Sequence, residues 1–228
     1  RPPGGSGALA AVQTDMRFAV IIPALNEADQ IGGAIASAAG AHVILADGGS
    51  TDETAAIAQR AGASVVVETG GRGRQANAGA AAAIALGATT LLFLHADSQL
   101  PPDWMPAAIR ALDQPDVALG AFSLRIADAR VQERVVAAGA NLRSRLLRLP
   151  YGDQALFLRQ DRFGALGGFR ALPIMEDFDL VRRAGRIGRV LTLPQRVTTS
   201  PRRWRRMGTL RSVALNQAML AGWSLGIA

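Results

Sequence analysis

Five carboxylates stand where their type and spacing could do chemistry. Glu27 follows the apolar run Val20-Ile21-Ile22, Asp47 closes the run Val43-Ile44-Leu45-Ala46, and Asp97 comes just after Leu91-Leu92-Phe93-Leu94. Glu176 and Asp177 sit side by side ahead of a later apolar stretch. Short apolar runs bounded by Gly, Pro and Asp read as buried strands, so the first three acids fall at the C-terminal ends of strands. An open α/β sheet binds its ligands along that edge. A carboxylate there suits a ribose or a base and would repel a phosphate. Asp47 opens Gly48-Gly49-Ser50-Thr51-Asp52, a Gly-rich turn whose Ser, Thr and Asp can cap the next helix. The same residues also fit an ordinary strand-to-helix turn.

The elements that must position these acids follow from the same periodicities. Strands are predicted over Phe18–Ile22, His42–Ala46, Ser64–Glu68 and Thr90–Leu94, with helices over residues 26–37, 52–61 and 74–86 between them. Gly70 to Gly73 reads as a flexible loop. Strand-helix alternation implies right-handed βαβ units and a parallel sheet. Pro101-Pro102 ends this rhythm. A helix over 103–112, a strand over 120–126 and a long amphipathic helix over 128–149 follow. A strand over 155–158 and a short helix over 161–166, closed by Gly167-Gly168, come next. A helix over 177–184, a strand over 189–193 and a terminal helix from Pro201 to Gly226 complete the pattern. The expected organisation is a lead over 1–16 and one domain over 17–228. Residues 17–100 form its nucleotide-binding half, and residues 101–228 its acceptor-binding half with the C-terminal helix.

Composition narrows the class. The 228 residues are 49% hydrophobic and only 5% aromatic, with abundant Ala, which predicts helices packed closely through small side chains. With no Cys, disulfides and thiolate chemistry are excluded. No apolar run reaches the 18 or more residues of a membrane span. The net charge of +7 is carried by Arg alone, in clusters at 143–148, 182–189 and 202–206. Guanidinium groups suit phosphates, so a diphosphate, an anionic membrane and nucleic acid all complement them, as does plain solvation. Met219 to Ile227 with its upstream Arg residues could rest on an anionic surface.

Val20-Ile21-Ile22-Pro23-Ala24-Leu25-Asn26-Glu27, Asp47-Gly48-Gly49-Ser50-Thr51-Asp52, Phe93-Leu94-His95-Ala96-Asp97, Gly167-Gly168-Phe169 and Glu176-Asp177-Phe178-Asp179-Leu180 occur in an order that resembles family 2 glycosyltransferases. The resemblance runs from Arg17 to about Arg206. A narrower one rests on His95-Ala96-Asp97, Tyr151-Gly152-Asp153-Gln154 and Ser200-Pro201-Arg202-Arg203-Trp204. Those segments resemble the small subgroup associated with arsenosugar biosynthesis clusters.

The family resemblance implies an α/β GT-A fold, with a central, mostly parallel sheet flanked by helices. It also implies inverting, hexosyltransferase-type transfer from a nucleotide-diphospho-sugar, UDP-sugar ahead of GDP-sugar. On that resemblance Asp47 binds base or ribose and Glu27 assists on the ribose side, although Glu27 also fits a carboxylate placed on a helix N-terminal dipole. Pro23, Gly48, Ala96, Arg72, Arg74 and Asn77 belong to the nucleotide side. Gly70, Gly71 and Gly73 would let the backbone approach the ligand. Asp97 is implied as the ligand of Mn²⁺ or Mg²⁺. Where the family has a further Asp, this chain has His95, which suits a metal, a phosphate or a structural bond alike. Asp177 is implied as the general base, with Glu176 orienting it, against simple helix capping; Asp179 reads as an exposed acid. Gly168, Arg202, Arg203 and Trp204 are implied at the diphosphate or acceptor, with Trp204 stacking on the acceptor. Asp153 and Gln154 would shape the acceptor pocket. Trp104, Trp223 and His42 read as structural.

Two other functions compete. A nucleotidyltransferase shares strand-edge acids, but it needs a Gly-rich basic loop where this chain has Pro23-Ala24-Leu25-Asn26-Glu27. A non-catalytic nucleotide- or polyanion-binding module would explain the charge and predicts steeply salt-dependent binding. Sparse aromatics and the intact acids count against it, and no nucleic-acid partner is expected. The acceptor is a small molecule or a lipid-linked one, the former preferred. The expected location is the cytoplasm, with peripheral contact at the inner membrane face as an option.

Overall fold

In a computed structural model, residues 15–208 are described. The lead before them, Trp223 and the Met219–Ile227 surface lie outside. Strand β1 (Asp15–Ala24) is followed by helix α1 (Ala28–Ser37), β2 (Ala41–Asp47), α2 (Thr54–Arg60), β3 (Ser64–Val67), α3 (Arg72–Ala85) and β4 (Thr90–Phe93). Then come β5 (Ser98–Gln99), α4 (Trp104–Leu112), β6 (Val117–Ile126), α5 (Val131–Leu146) and a 3-10 turn at Gly152–Gln154. The described chain ends with β7 (Leu156–Arg159), α6 (Gln160–Leu166), α7 (Glu176–Ile187), β8 (Arg189–Thr199) and α8 (Arg202–Met207). The expected terminal helix begins as α8, which Gly208 closes with φ 82°; its remainder lies outside the described residues.

All eight strands share one sheet in the order β3-β2-β1-β4-β7-β6-β8-β5. The β1–β2, β1–β4, β2–β3 and β6–β8 pairings are parallel, and the other three are antiparallel. The chain steps outward from β1 through β2 and β3, then returns to β4 on the other side of β1. That reversal is the switch point at which an open sheet leaves a crevice beyond its strand ends.

Both faces of the central sheet are covered, so β2, β4 and the second half of β1 are largely apolar. Val20, Ile22 and Leu45 join α1 and α4 in one core, whereas Ile21, Ile44 and Leu91 join α3, α6 and α7 in the other. The expectation of close packing through small side chains is met by α3, whose buried face is built from Gly73, Ala76, Gly79, Ala80 and Ala83. A Cβ on Gly79 would lie 2.5 Å from Ile21 Cγ2, so only glycine lets α3 approach β1 this closely. Trp104 is buried edge-to-face on Phe18, with centroids 5.6 Å apart. His42 bonds Ser64 across β2 and β3 at 3.2 Å.

The elements differ from the sequence expectation in several places, three of them close to the site. β8 continues past Pro194 to Thr199, because its ladder with β6 shifts register between Phe122 and Ser123, where Pro is tolerated. β5 is two residues long and exists through its pairing with Thr198 and Thr199. Helix α3 begins at Arg72, so the Gly70–Gly73 loop is shorter than expected.

Candidate active site

Two loops at the C-terminal ends of β1 and β2 are sewn together by side chains. Asn26, at φ 54°, accepts Thr51 N–H through Oδ1 at 2.9 Å and donates its own N–H to Ser50 Oγ at 2.9 Å. Asp52 accepts Ala28 N–H at 3.1 Å and Thr54 Oγ1–H at 2.5 Å. Asp47 is buried beneath this seam. Its Oδ2 accepts the N–H groups of Gly49 (3.0 Å) and Ser50 (2.9 Å), and its Oδ1 accepts Ser50 Oγ–H (2.5 Å). The carboxylate therefore builds the turn that follows β2. Gly48 packs under it, since a Cβ there would lie 2.7 Å from Gln75 Nε2. Gln75 itself donates to the carbonyls of Ala24 (2.9 Å) and Ala46 (3.0 Å), locking the two strand ends at the crevice.

Beyond β1 and β4 a narrow cleft opens, lined by Pro23, Arg72, His95, Gly152, Glu176 and Asp177, with Phe93 and Phe169 in its apolar wall. Ala96 is buried behind it. Met175 turns the chain sharply into α7 at φ 65°, a left-handed conformation costly for a residue with a Cβ. Glu176 and Asp177 consequently occupy the first helical turn. Asp177 Oδ2 accepts Gly152 N–H at 2.5 Å, and its Oδ1 accepts Phe178 N–H at 2.8 Å. A Cβ on Gly152 would lie 2.8 Å from Asp177 Oδ2 and 3.0 Å from His95 Nε2. The imidazole nitrogen and the carboxylate oxygen thus both pack against the Gly152 backbone, which they can do only because residue 152 has no side chain.

Glu176 is buried beside Asp177, with Arg72 Nη1 at 3.8 Å. Burial holds its carboxyl above its ordinary 4.5, the Asp177 charge pushes it further up, and Arg72 opposes both. The folded chain then binds this proton more tightly than the unfolded chain does. Stability from this site is greatest at low pH and falls as pH rises from about 4.5 through the raised value. Glu176→Gln is expected to flatten that decline. Denaturant midpoints of both proteins between about pH 4.5 and pH 7 check it, and identical slopes would contradict it.

Asp97 leaves β4 beside the end of β8. Its carbonyl accepts Ser200 N–H at 3.0 Å, and Oδ1 accepts long hydroxyl contacts from Ser98 (3.3 Å) and Thr199 (3.4 Å). Among the described residues no three His, Cys, Asp or Glu side chains gather as a metal site. One carboxylate with an imidazole nearby matches a hard ion that arrives with phosphate oxygens and keeps water, as Mg²⁺ does. The donor set fits such an ion, though not a site assembled in advance.

Several expected site residues do other work. Asn77 spends its amide on Phe169, accepting its N–H at 2.9 Å and donating to its carbonyl at 2.8 Å. Asn77→Ala should therefore lower stability by about 1–3 kcal/mol and leave nucleotide affinity unchanged; denaturation and calorimetry separate the two effects. Gln154 is fully buried and donates to the Phe122 carbonyl (3.0 Å) and Ser144 Oγ (3.1 Å), which removes it from an acceptor pocket. Asp179 is buried rather than exposed, with Arg183 Nε at 2.7 Å and Arg170 Nη1 at 3.3 Å. Arg183 in turn donates to the carbonyls of Leu166 and Gly168, fixing the Gly167-Gly168 turn. A Cβ on Gly168 would lie 2.6 Å from Asn77 Oδ1, so this glycine serves packing. Trp204 is only 8% exposed and packs on Ile126 and Ala137.

The Arg residues also separate. Arg72 lines the cleft, while Arg74 turns to Glu68 at 3.1 Å. Arg202 pairs with Glu27, tying α8 back to the β1 edge; that bond, the Glu27 charge and nearby Asp97 raise its pKa further. The Arg203 side chain lies outside what is described. Gly152 and Gln75 were missed from the sequence. Gly152 stood inside a quoted motif, but a residue that acts by lacking a side chain gives no chemical signal.

The reversing mixed sheet, covered on both faces and carrying acids along one edge, defines a GT-A fold. The family model described as Glycosyl transferase family 2 matches residues 19–173, and the chain belongs to that family. The mannosyltransferase PcManGT from Pyrobaculum calidifontis, solved with GDP-Man and Mn²⁺, is 19% identical with a TM-score of 0.64, over 80% of this chain and 56% of that one. The S. aureus TarS fragment solved with UDP-GlcNAc is 16% identical with a TM-score of 0.62, over 81% of this chain and 58% of that one. Glucosyl-3-phosphoglycerate synthase from Mycobacterium tuberculosis, solved with Mn²⁺, UDP and glucosyl-3-phosphoglycerate, is 23% identical with a TM-score of 0.59, over 88% and 76%. This chain thus spans little more than half the length of the first two. No curated protein matches the sequence. Among the described residues no helix is long and apolar enough to cross a membrane.

Proposed function

We propose that this chain transfers a glycosyl group, with inversion, from a nucleoside diphospho-sugar to an acceptor hydroxyl in the cleft around Gly152. The observation that carries the reading is that Asp177 and His95 line one cleft with Arg72 and pack together against Gly152, at the crevice of the strand reversal. Asp177 receives the acceptor proton as the hydroxyl attacks the anomeric carbon. Glu176 keeps Arg72 at the cleft, and Arg72 meets the diphosphate. Asp97, with His95 beside the cleft, would hold Mn²⁺ or Mg²⁺; such an ion, when bound, neutralises charge on the departing nucleoside diphosphate. Glu27 and the Asp47 turn face the nucleoside end, and Arg202 covers it from α8.

The solved relatives with GDP-Man, UDP-GlcNAc and UDP support this donor class; UDP-sugars are put ahead of GDP-sugars on the sequence resemblance alone. The single-domain division at about residue 100 agrees with a nucleotide half that carries Glu27, Asp47 and Asp97. The second half then carries Gly152, Asp153 and Asp177. The subgroup resemblance adds arsenosugar assembly as the setting of the acceptor, which is a small soluble molecule. Incubation with UDP- and GDP-sugars and Mn²⁺ should release the nucleoside diphosphate. The product sugar should carry the anomeric configuration opposite to the donor, read by NMR. Retention of configuration would remove the base role of Asp177.

A further inference from the structure

Helix α5 presents an apolar face to water. Val131, Val135, Leu142 and Leu146 are 75%, 66%, 60% and 71% exposed, while the opposite side buries Glu133, Ala137 and Ser144. At about 100° per residue the four apolar side chains fall within an arc of about 60°, along about 22 Å of helix. A contiguous apolar strip of this kind marks an interaction surface. One border is basic: Arg134 and Arg145 are exposed and lie along the same side of the strip, Arg145 also donating to Ser123 Oγ at 3.0 Å. The only acid within α5, Glu133, is buried and accepts the Arg130 N–H at 2.7 Å. Beside the helix runs an open groove lined by Arg125, Arg134 and Arg196, with Asp128 as the one carboxylate among its lining residues.

We propose that this face of α5 docks on an anionic lipid bilayer. Apolar side chains enter the headgroup boundary, the flanking guanidinium groups meet lipid phosphates, and the buried side holds the helix on β6. Charge decides between occupants. A second copy placed face to face would set two Arg rows against each other. Four side chains of one helix also fall short of the about 800 Å² per partner of a stable interface. The twenty residues after Gly208 contain no acid, and Arg211 is their only charge. An anionic surface complements both features of the face. The surface stands apart from the cleft, so its test does not depend on sugar transfer.

Co-sedimentation of the full chain with phosphatidylcholine vesicles, with and without one-third phosphatidylglycerol, tests the proposal. Binding is expected to the anionic vesicles alone and to weaken as salt is raised. Val135→Asp with Leu142→Asp, and separately Arg134→Gln with Arg145→Gln, should each weaken it about tenfold or more. These sites are exposed, so unchanged circular dichroism and nucleotide binding are expected in both variants. Failure to bind anionic vesicles, or binding indifferent to Val135→Asp with Leu142→Asp, would overturn the proposal. A dimer, seen by light scattering and broken by Leu142→Asp without vesicle binding, would assign the face to a second copy and overturn it too.

Discussion

Asp177→Asn is expected to lower kcat by about 10²–10⁴, the worth of a positioned general base, while nucleotide affinity stays within a few-fold of the parent. The carboxylate is held from both sides, Oδ2 by Gly152 N–H and Oδ1 by Phe178 N–H, so its direction into the cleft is fixed before substrate arrives. An amide has one acceptor oxygen. It can satisfy one of those N–H groups, and it cannot accept a proton from an attacking hydroxyl. Some stability is lost with the orphaned N–H, about 1–3 kcal/mol. Single-turnover kinetics beside thermal melts separate the two roles. If Asp177 only caps α7, the melting temperature falls and turnover per folded molecule does not.

Gly152→Ala should lower turnover by about 10²-fold, through geometry alone. No charge or hydrogen-bonding group is removed. The added methyl would stand 2.8 Å from Asp177 Oδ2 and 3.0 Å from His95 Nε2, so one of them has to move. Gly152 sits in a buried 3-10 turn whose backbone bonds Asp177 directly, which leaves the turn little room to retreat. Overpacking of this size also costs about 1–3 kcal/mol of stability. Steady-state kinetics at saturating donor check the expectation. Parental turnover in the variant would mean that the packing of His95 and Asp177 on Gly152 does not set the geometry of the chemistry.

The sheet was legible because strands buried on both faces read as unbroken apolar runs, as at Val43–Ala46 and Leu91–Leu94. Asp97 and Asp177 were legible as candidates because each stands in a motif of the family pattern, and Asp97 also follows a strand end where open sheets bind ligands. The destinations of side chains were not. Asn77, Gln154 and Trp204 carry groups that serve a ligand or the protein's own backbone equally well, and only the fold decides which partner is near. Asp179 misled because its partner Arg183 is four residues on, where a surface pair on a helix would also lie. The Arg202–Glu27 pair joins residues 175 apart and has no local signature. β5, two residues long, exists only through its pairing with β8.

The donor site is the centre of the account, and calorimetry reaches it most directly. UDP and GDP would each be titrated into the full chain with Mn²⁺ and with chelator, alongside Asp97→Ala. Saturable binding of one nucleoside diphosphate at a single site is predicted, weakened about tenfold or more by chelator and by Asp97→Ala. Absence of binding for both nucleotides, with and without Mn²⁺, would contradict it.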